Sequence, residues 1–141
     1  MKNVIRLSAT LILVITFMAS CSTTADSNYI SVTEAENIIP GSYKVNTFED
    51  AAGASVAYES YTFSFKSNGT LEATNGVDTY TGQWAINGVN DANYEMEMTL
   101  TINGNTEVEY LSHNWFVEEI TDVTLMLIDD SGIESIYMIK N

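Results

Sequence analysis

Residues 58–86 read YESYTFSFKSNGTLEATNGVDTYTGQWAI, and two features of this stretch decide the fold. The side chains alternate with period two. Tyr61, Phe63 and Phe65 share one side of an extended chain and Thr62, Ser64 and Lys66 the other; later, Tyr80, Gly82, Trp84 and Ile86 oppose Thr81, Gln83 and Ala85. Such alternation marks strands with one buried and one wetted face. Asn-Gly punctuates the stretch at 68–69 and 75–76, a pair that tolerates the positive φ of tight hairpin turns.

Outward from this stretch the pattern persists. Asn-Gly recurs at 87–88 and 103–104, which predicts further hairpins. In residues 94–102 (YEMEMTLTI), Tyr94, Met96, Met98, Leu100 and Ile102 face one way, and Glu95 and Glu97 the other, toward water. Strands are expected at 42–46, 58–66, 70–74, 78–86, 94–102, 106–112, 115–120, 123–128 and 133–139. The count is eight if residues 106–120 form one long bulged strand and nine if they form two. Short turns without long crossovers favour an antiparallel up-and-down β-barrel over the rival, a Greek-key sandwich. Ahead of the strands, Thr33 and Glu36 have capping-box spacing, and Ala35, Ile38 and Ile39 supply the apolar side of a short helical turn ended by Pro40-Gly41.

Residues 1–20 differ in kind. Lys2 and Arg6 precede an eleven-residue apolar run, LSATLILVITF, and Met18-Ala19-Ser20 leads into Cys21, the one cysteine. This is the order of a secretory signal, too short for the ~20 residues that span a bilayer. The small residues before Cys21 resemble the lipobox of bacterial lipoproteins, with Met18 where leucine is usual. That resemblance implies that Cys21 is acylated and becomes the N-terminus of the exported protein; more than one acyl chain gives stable attachment. Residues 21–40 then read as lipidated end, polar tether and helical turn, and 41–141 as one domain. The expected location is the cell envelope, with the outer membrane favoured because Ser22, not aspartate, follows the cysteine.

Removing residues 1–20 takes away Lys2 and Arg6 but no acid, moving the formal net charge from −14 to −16. Only Lys44, Lys66 and Lys140 remain to meet phosphate, so nucleic acid is excluded as a partner.

Gly41-Ser42-Tyr43-Lys44-Val45, the run from Tyr61 to Leu71 (YTFSFKSNGTL) and residues 81–86 (TGQWAI) together resemble the lipocalin-like domain of small lipoproteins from Bacteroidetes-type bacteria. Trp115-Phe116-Val117 and Leu125-Met126-Leu127 fit that family's penultimate hairpin. The resemblance spans roughly residues 41–139. It implies a lipocalin-like barrel whose first long connection, residues 47–57, lies over the open mouth, as a lid or as an ordinary surface loop. Tyr43 stands where the family places a tryptophan at the closed end.

The inventory leaves little room for catalysis. His113 is the one histidine, no Gly-x-Ser-x-Gly elbow exists, and zinc would need two or three more ligands of its preferred kinds. Glu95/Glu97 and Glu107/Glu109 lie on polar strand faces, where solvent screens them. Asn90-Asp91 and residues 129–132 offer oxygens to calcium without an EF-hand pattern. No metal site, cofactor or enzymatic activity is expected. The aromatic and methionine set remains. Tyr61, Phe63, Phe65, Tyr80, Trp84, Met96, Met98 and Trp115 are the expected lining of a site for a small apolar ligand, since an eight-stranded barrel is just wide enough to hold one. The alternative is a barrel filled by these same side chains, acting as a structural module that docks other envelope proteins.

Overall fold

The computed structural model describes residues 30–55, 58–90 and 95–141. The expected signal segment, Cys21, the tether at 22–28, Asp91 and Tyr94 lie outside the described residues. Within them, a helix α1 (Val32–Ile38) precedes nine strands: β1 (Gly41–Asp50), β2 (Gly53–Ser55), β3 (Thr62–Phe65), β4 (Thr70–Thr74), β5 (Thr79–Asn90), β6 (Glu95–Asn103), β7 (Asn114–Ile120), β8 (Thr124–Ile128) and β9 (Ser135–Lys140). A second helix, α2 (Thr106–Glu109), lies between β6 and β7.

Every strand pairs antiparallel with its neighbour, and β9 returns to β1, from Tyr43 opposite Lys140 to Glu49 opposite Ser135, which closes the sheet. The nine strands occupy eight positions. β3 pairs with the lower half of β1 and β2 with its upper end, on the same edge, so together they act as one interrupted strand. The architecture is a closed, eight-position, antiparallel up-and-down barrel, as the strand period implied.

The inward faces predicted for β3, β5 and β6 are buried, and the other strands add to them. Phe63 and Phe65, Leu71 and Ala73, Trp84, Met96 through Ile102 in alternation, Trp115, Leu125 and Leu127, and Ile136 and Met138 are all buried in a single cluster.

The turns depart from expectation in instructive ways. Asn68-Gly69 and Asn75-Gly76 do make hairpin turns, with positive φ at both glycines. Asn87-Gly88 does not. It is a β-bulge within the twelve-residue β5, where the register to β6 slips between Ile86 and Gly88, and the pairing continues to Asn90 opposite Glu95. A bulge needs the same permissive φ as a turn, so the dipeptide serves both. Asn103-Gly104 leads into α2 and not into a strand. The strand expected at 106–112 is therefore corrected to a helix: Asn105 caps it by accepting from the Val108 N–H, and Val108 and Leu111, three apart, turn inward together. Near the N-terminus the cap of α1 is Ser31, accepting from the Glu34 N–H, two residues before the predicted Thr33.

The two helices lie at opposite ends. α1 leads directly into the start of β1 yet touches β5, three strand positions away in the eight-position barrel, so it crosses that end with Ala35 and Ile39 buried. At the other end α2 packs Val108 and Leu111 over the barrel. Among the described residues, no helix is long and apolar enough to cross a membrane.

Candidate functional site

The eight residues predicted to line a ligand site do come together, but not all on equal terms. Tyr61, Phe63, Phe65, Trp84, Met96, Met98 and Trp115 are buried; Tyr80, near the start of β5, is half-buried against the cluster. Phe65 meets Trp84 edge-on with centroids 5.9 Å apart, and Tyr43 meets Phe65 edge-on at 5.5 Å, while Phe63 contacts both Tyr58 and Tyr61 at 6.1–6.4 Å. These are the separations and tilts aromatic pairs prefer. Met98 and Trp115 face each other across β6 and β7 and are both 0% exposed. A void able to admit water would leave its walls accessible, so the side chains of these two border no such void inside the barrel.

The polar tips of the aromatics are satisfied locally. The Trp115 indole N–H donates to the Leu111 carbonyl and that of Trp84 to the Lys66 carbonyl. The Tyr58 hydroxyl donates to the Glu107 carbonyl at 2.9 Å, the Tyr61 hydroxyl donates to Glu107 Oε2 at 3.2 Å, and Asn105 Nδ2 donates to the Tyr61 hydroxyl. Three bonds thus fasten α2 over this end. Burial pushes the Tyr58 phenol pKa well above its usual value, with Glu107 adding to the shift. These tyrosine-to-helix contacts were not anticipated, because they join residues more than forty positions apart. Tyr110 stands half exposed, edge-on to Phe48, and its hydroxyl donates to Glu134.

The connection expected at 47–57 as a lid or a surface loop is, where described, regular structure: β1 runs on to Asp50 and turns back into β2, with the Ala52 N–H held by Asp50. Residues 56–57 lie outside the described set.

On the outer wall is a cleft of about 320 Å³ lined by Glu97, His113, Asn114, Trp115, Phe116 and Asp130. His113, which precedes β7, stacks on Trp115 at 4.0 Å and lies 3.7 Å from Glu134. Sequence gave no hint of this cleft; only the register that sets Glu97 opposite Phe116 creates it. Among the described residues, no three His, Cys, Asp or Glu side chains gather as metal ligands would.

No protein-family model and no curated protein matches this chain. Among solved structures, the crystal structure of a lipocalin-like protein from Bacteroides uniformis ATCC 8492 matches with a TM-score of 0.54 and 17% identity, covering 72% of this chain and 97% of that one. The fold is a lipocalin-like barrel. At that identity the likeness reaches no further than the fold.

Proposed function

We propose that this chain is a lipid-anchored lipoprotein of the cell envelope, held by an acylated Cys21 at the outer membrane, and that its barrel is a non-enzymatic binding module. The observation that carries the reading is the chemistry of the interior. The inward set is aromatic, aliphatic and thioether throughout, and among the described residues no charged, amide or aliphatic hydroxyl side chain is buried. Such an interior offers dispersion contacts to an apolar molecule and no acid–base pair for chemistry. The lipocalin-like fold supports a small apolar ligand lodged against Phe63, Trp84, Met96 and Met98, with the methionines free to repack around it.

A second reading has its own support. The complete burial of Met98 and Trp115, with α1 and α2 over the two ends, favours a barrel filled by its own side chains that docks other envelope proteins through its outer surface. Ligand entry then requires α2 to lift.

Native mass spectrometry of the domain from Ser22 onward, isolated from its own host, separates the two. A co-purifying lipid-sized mass that disappears in a folded Trp84→Ala variant supports the ligand reading. Bare protein in every preparation sinks it and leaves the docking module. Intact mass of the full-length product tests the anchor: an acyl increment on Cys21 is expected, and a free thiol refutes it.

A further inference from the structure

We propose that the end of the barrel closed by α1 rests on the membrane surface, so that the opposite end points away from it. The proposal rests on the reading that Cys21 carries the lipid. The leash alone does not set this orientation. The nine residues 22–30 reach at most about 30 Å, and β1, ten residues long, spans roughly the same distance, so a tumbling barrel could present either end.

Charge breaks the symmetry. Lys44, Lys66 and Lys140 are the only basic residues from Cys21 onward, and all three lie at the α1 end: near the start of β1, just after β3 and at the close of β9. The opposite end, built from the β1–β2 turn, the β4–β5 turn, α2 and the β8–β9 loop, carries Asp50, Asp78, Glu107, Glu109, Asp129 and Asp130 and no lysine. The α1 end is not basic overall, for Glu34, Glu36, Glu72, Glu119 and Asp122 share it; Lys66 pairs with Glu72 at 2.5 Å and the Lys140 ammonium donates to the Ile38 carbonyl. It is the difference between the ends that matters. A surface of anionic head groups repels the acidic end more than the mixed one, and Lys44, exposed on the outer wall, contributes favourably within a Debye length of such a surface.

The α1 end also carries an apolar contact. Val123 is 58% and Ile139 40% exposed, and the Lys140 N–H donates to the Val123 carbonyl, which holds the two strand ends together. Lys44 is exposed directly across from Ile139 on the outer wall. An apolar pair flanked by a long cationic side chain suits the interfacial zone, where the lysine stem lies along apolar surface and its ammonium reaches head groups. At the far end the exposed Val77 and Ile133 stand among carboxylates instead.

The test uses the full acylated chain in phosphatidylcholine vesicles containing phosphatidylglycerol. With Cys21 acylated, a cysteine introduced as Val123→Cys or Val77→Cys is the only free thiol and takes an environment-sensitive fluorophore. Quenching by head-group nitroxide lipid is expected to be several-fold stronger at position 123 than at 77, and Lys44→Glu is expected to narrow the difference. Equal quenching at both positions, or stronger quenching at 77, overturns the orientation. Flotation of the same samples checks the anchor separately: failure of the parent chain to float, or undiminished flotation of Cys21→Ser, refutes lipid anchoring, whereas flotation with equal quenching refutes the orientation alone.

Discussion

The Tyr43 hydroxyl donates to the Ile39 carbonyl at 2.8 Å, so the first barrel strand holds the last turn of the helix that closes it. Lys140 reinforces the clasp from the other side of β1, donating to the Ile38 carbonyl at 2.7 Å with its ammonium 5.4 Å from the centre of the Tyr43 ring. Both residues occupy C-terminal carbonyls of α1, which a seven-residue helix with no basic residue in its last turn otherwise leaves to solvent.

Tyr43→Phe removes this bond while keeping the ring, and about 1 kcal/mol of stability is expected to go with it. The tyrosine also sets an alkaline limit. Burial pushes its pKa from 10.0 up to about 12. A folded-state pKa above the unfolded one means that folding favours the protonated phenol, so its contribution is complete below pH 10 and is lost as pH rises through about 12. Urea titrations across that window should show the parent chain losing stability more steeply than Tyr43→Phe. Parallel pH profiles would refute the assignment.

Gly82 lies on the inward side of β5 between Tyr80 and Trp84, paired with Ile102. A Cβ there would collide with the Thr101 carbonyl and come within 2.7 Å of the Ile102 Cα, both of them backbone. Backbone in a closed sheet cannot yield as a side-chain end can. Gly82→Ala is therefore expected to cost about 3 kcal/mol or more, or to prevent folding, read as loss of near-ultraviolet dichroism. Gly76, whose added Cβ meets nothing within 4 Å, is the contrast; Gly76→Ala should cost only the strain of its positive φ.

Gly82 also shows what the sequence could reveal. Its inward position followed from period two, because strand facing is a local property written in alternate residues. The hairpins at 68–69 and 75–76 were legible for the same reason. The helix at 106–109 was not. Val108 and Tyr110 alternate with Glu107 and Glu109 as in a strand, and the competing signals, the Asn105 cap and the Val108/Leu111 spacing, span barely one turn. The candidate lining was legible as a set, since each member is inward on its own strand. Whether Met98 and Trp115 leave space between them depends on what meets across the barrel axis, and no local pattern encodes that.

Asp129 organises the loop between β8 and β9. Desolvation alone would raise its pKa, but hydrogen bonds from the Ser131 hydroxyl and from the backbone of Glu134, Ile133 and Ser131 outweigh it, and the value is lowered below 3.8. A depressed folded-state pKa means that the carboxylate supports the loop above its ordinary value and that this support fades as pH falls through the folded value. A side-chain NMR titration should place the Asp129 midpoint below 3.8, with the Ile133 and Glu134 amides shifting in step. A midpoint at or above 3.8 would contradict the geometry.

Asn105 holds α2 in two ways, accepting from the Val108 N–H at 3.0 Å and donating to the Tyr61 hydroxyl at 3.3 Å. Asn105→Ala removes both, and the loss of the cap alone is expected to cost about 1 kcal/mol. The effect should be local: faster amide exchange in residues 106–112, with β4 and β5 unchanged. The same variant bears on function, because α2 is the covering that an entering ligand must displace. If the interior takes apolar molecules, loosening α2 raises the rate at which a naphthalene-sulfonate dye enters and leaves. In a barrel filled by its own side chains, Asn105→Ala lowers stability but opens no room beside Trp115 and Met98, so dye fluorescence stays at the parent level while exchange at α2 quickens. Faster amide exchange without dye uptake therefore argues for the packed module, and the two together for a gated interior.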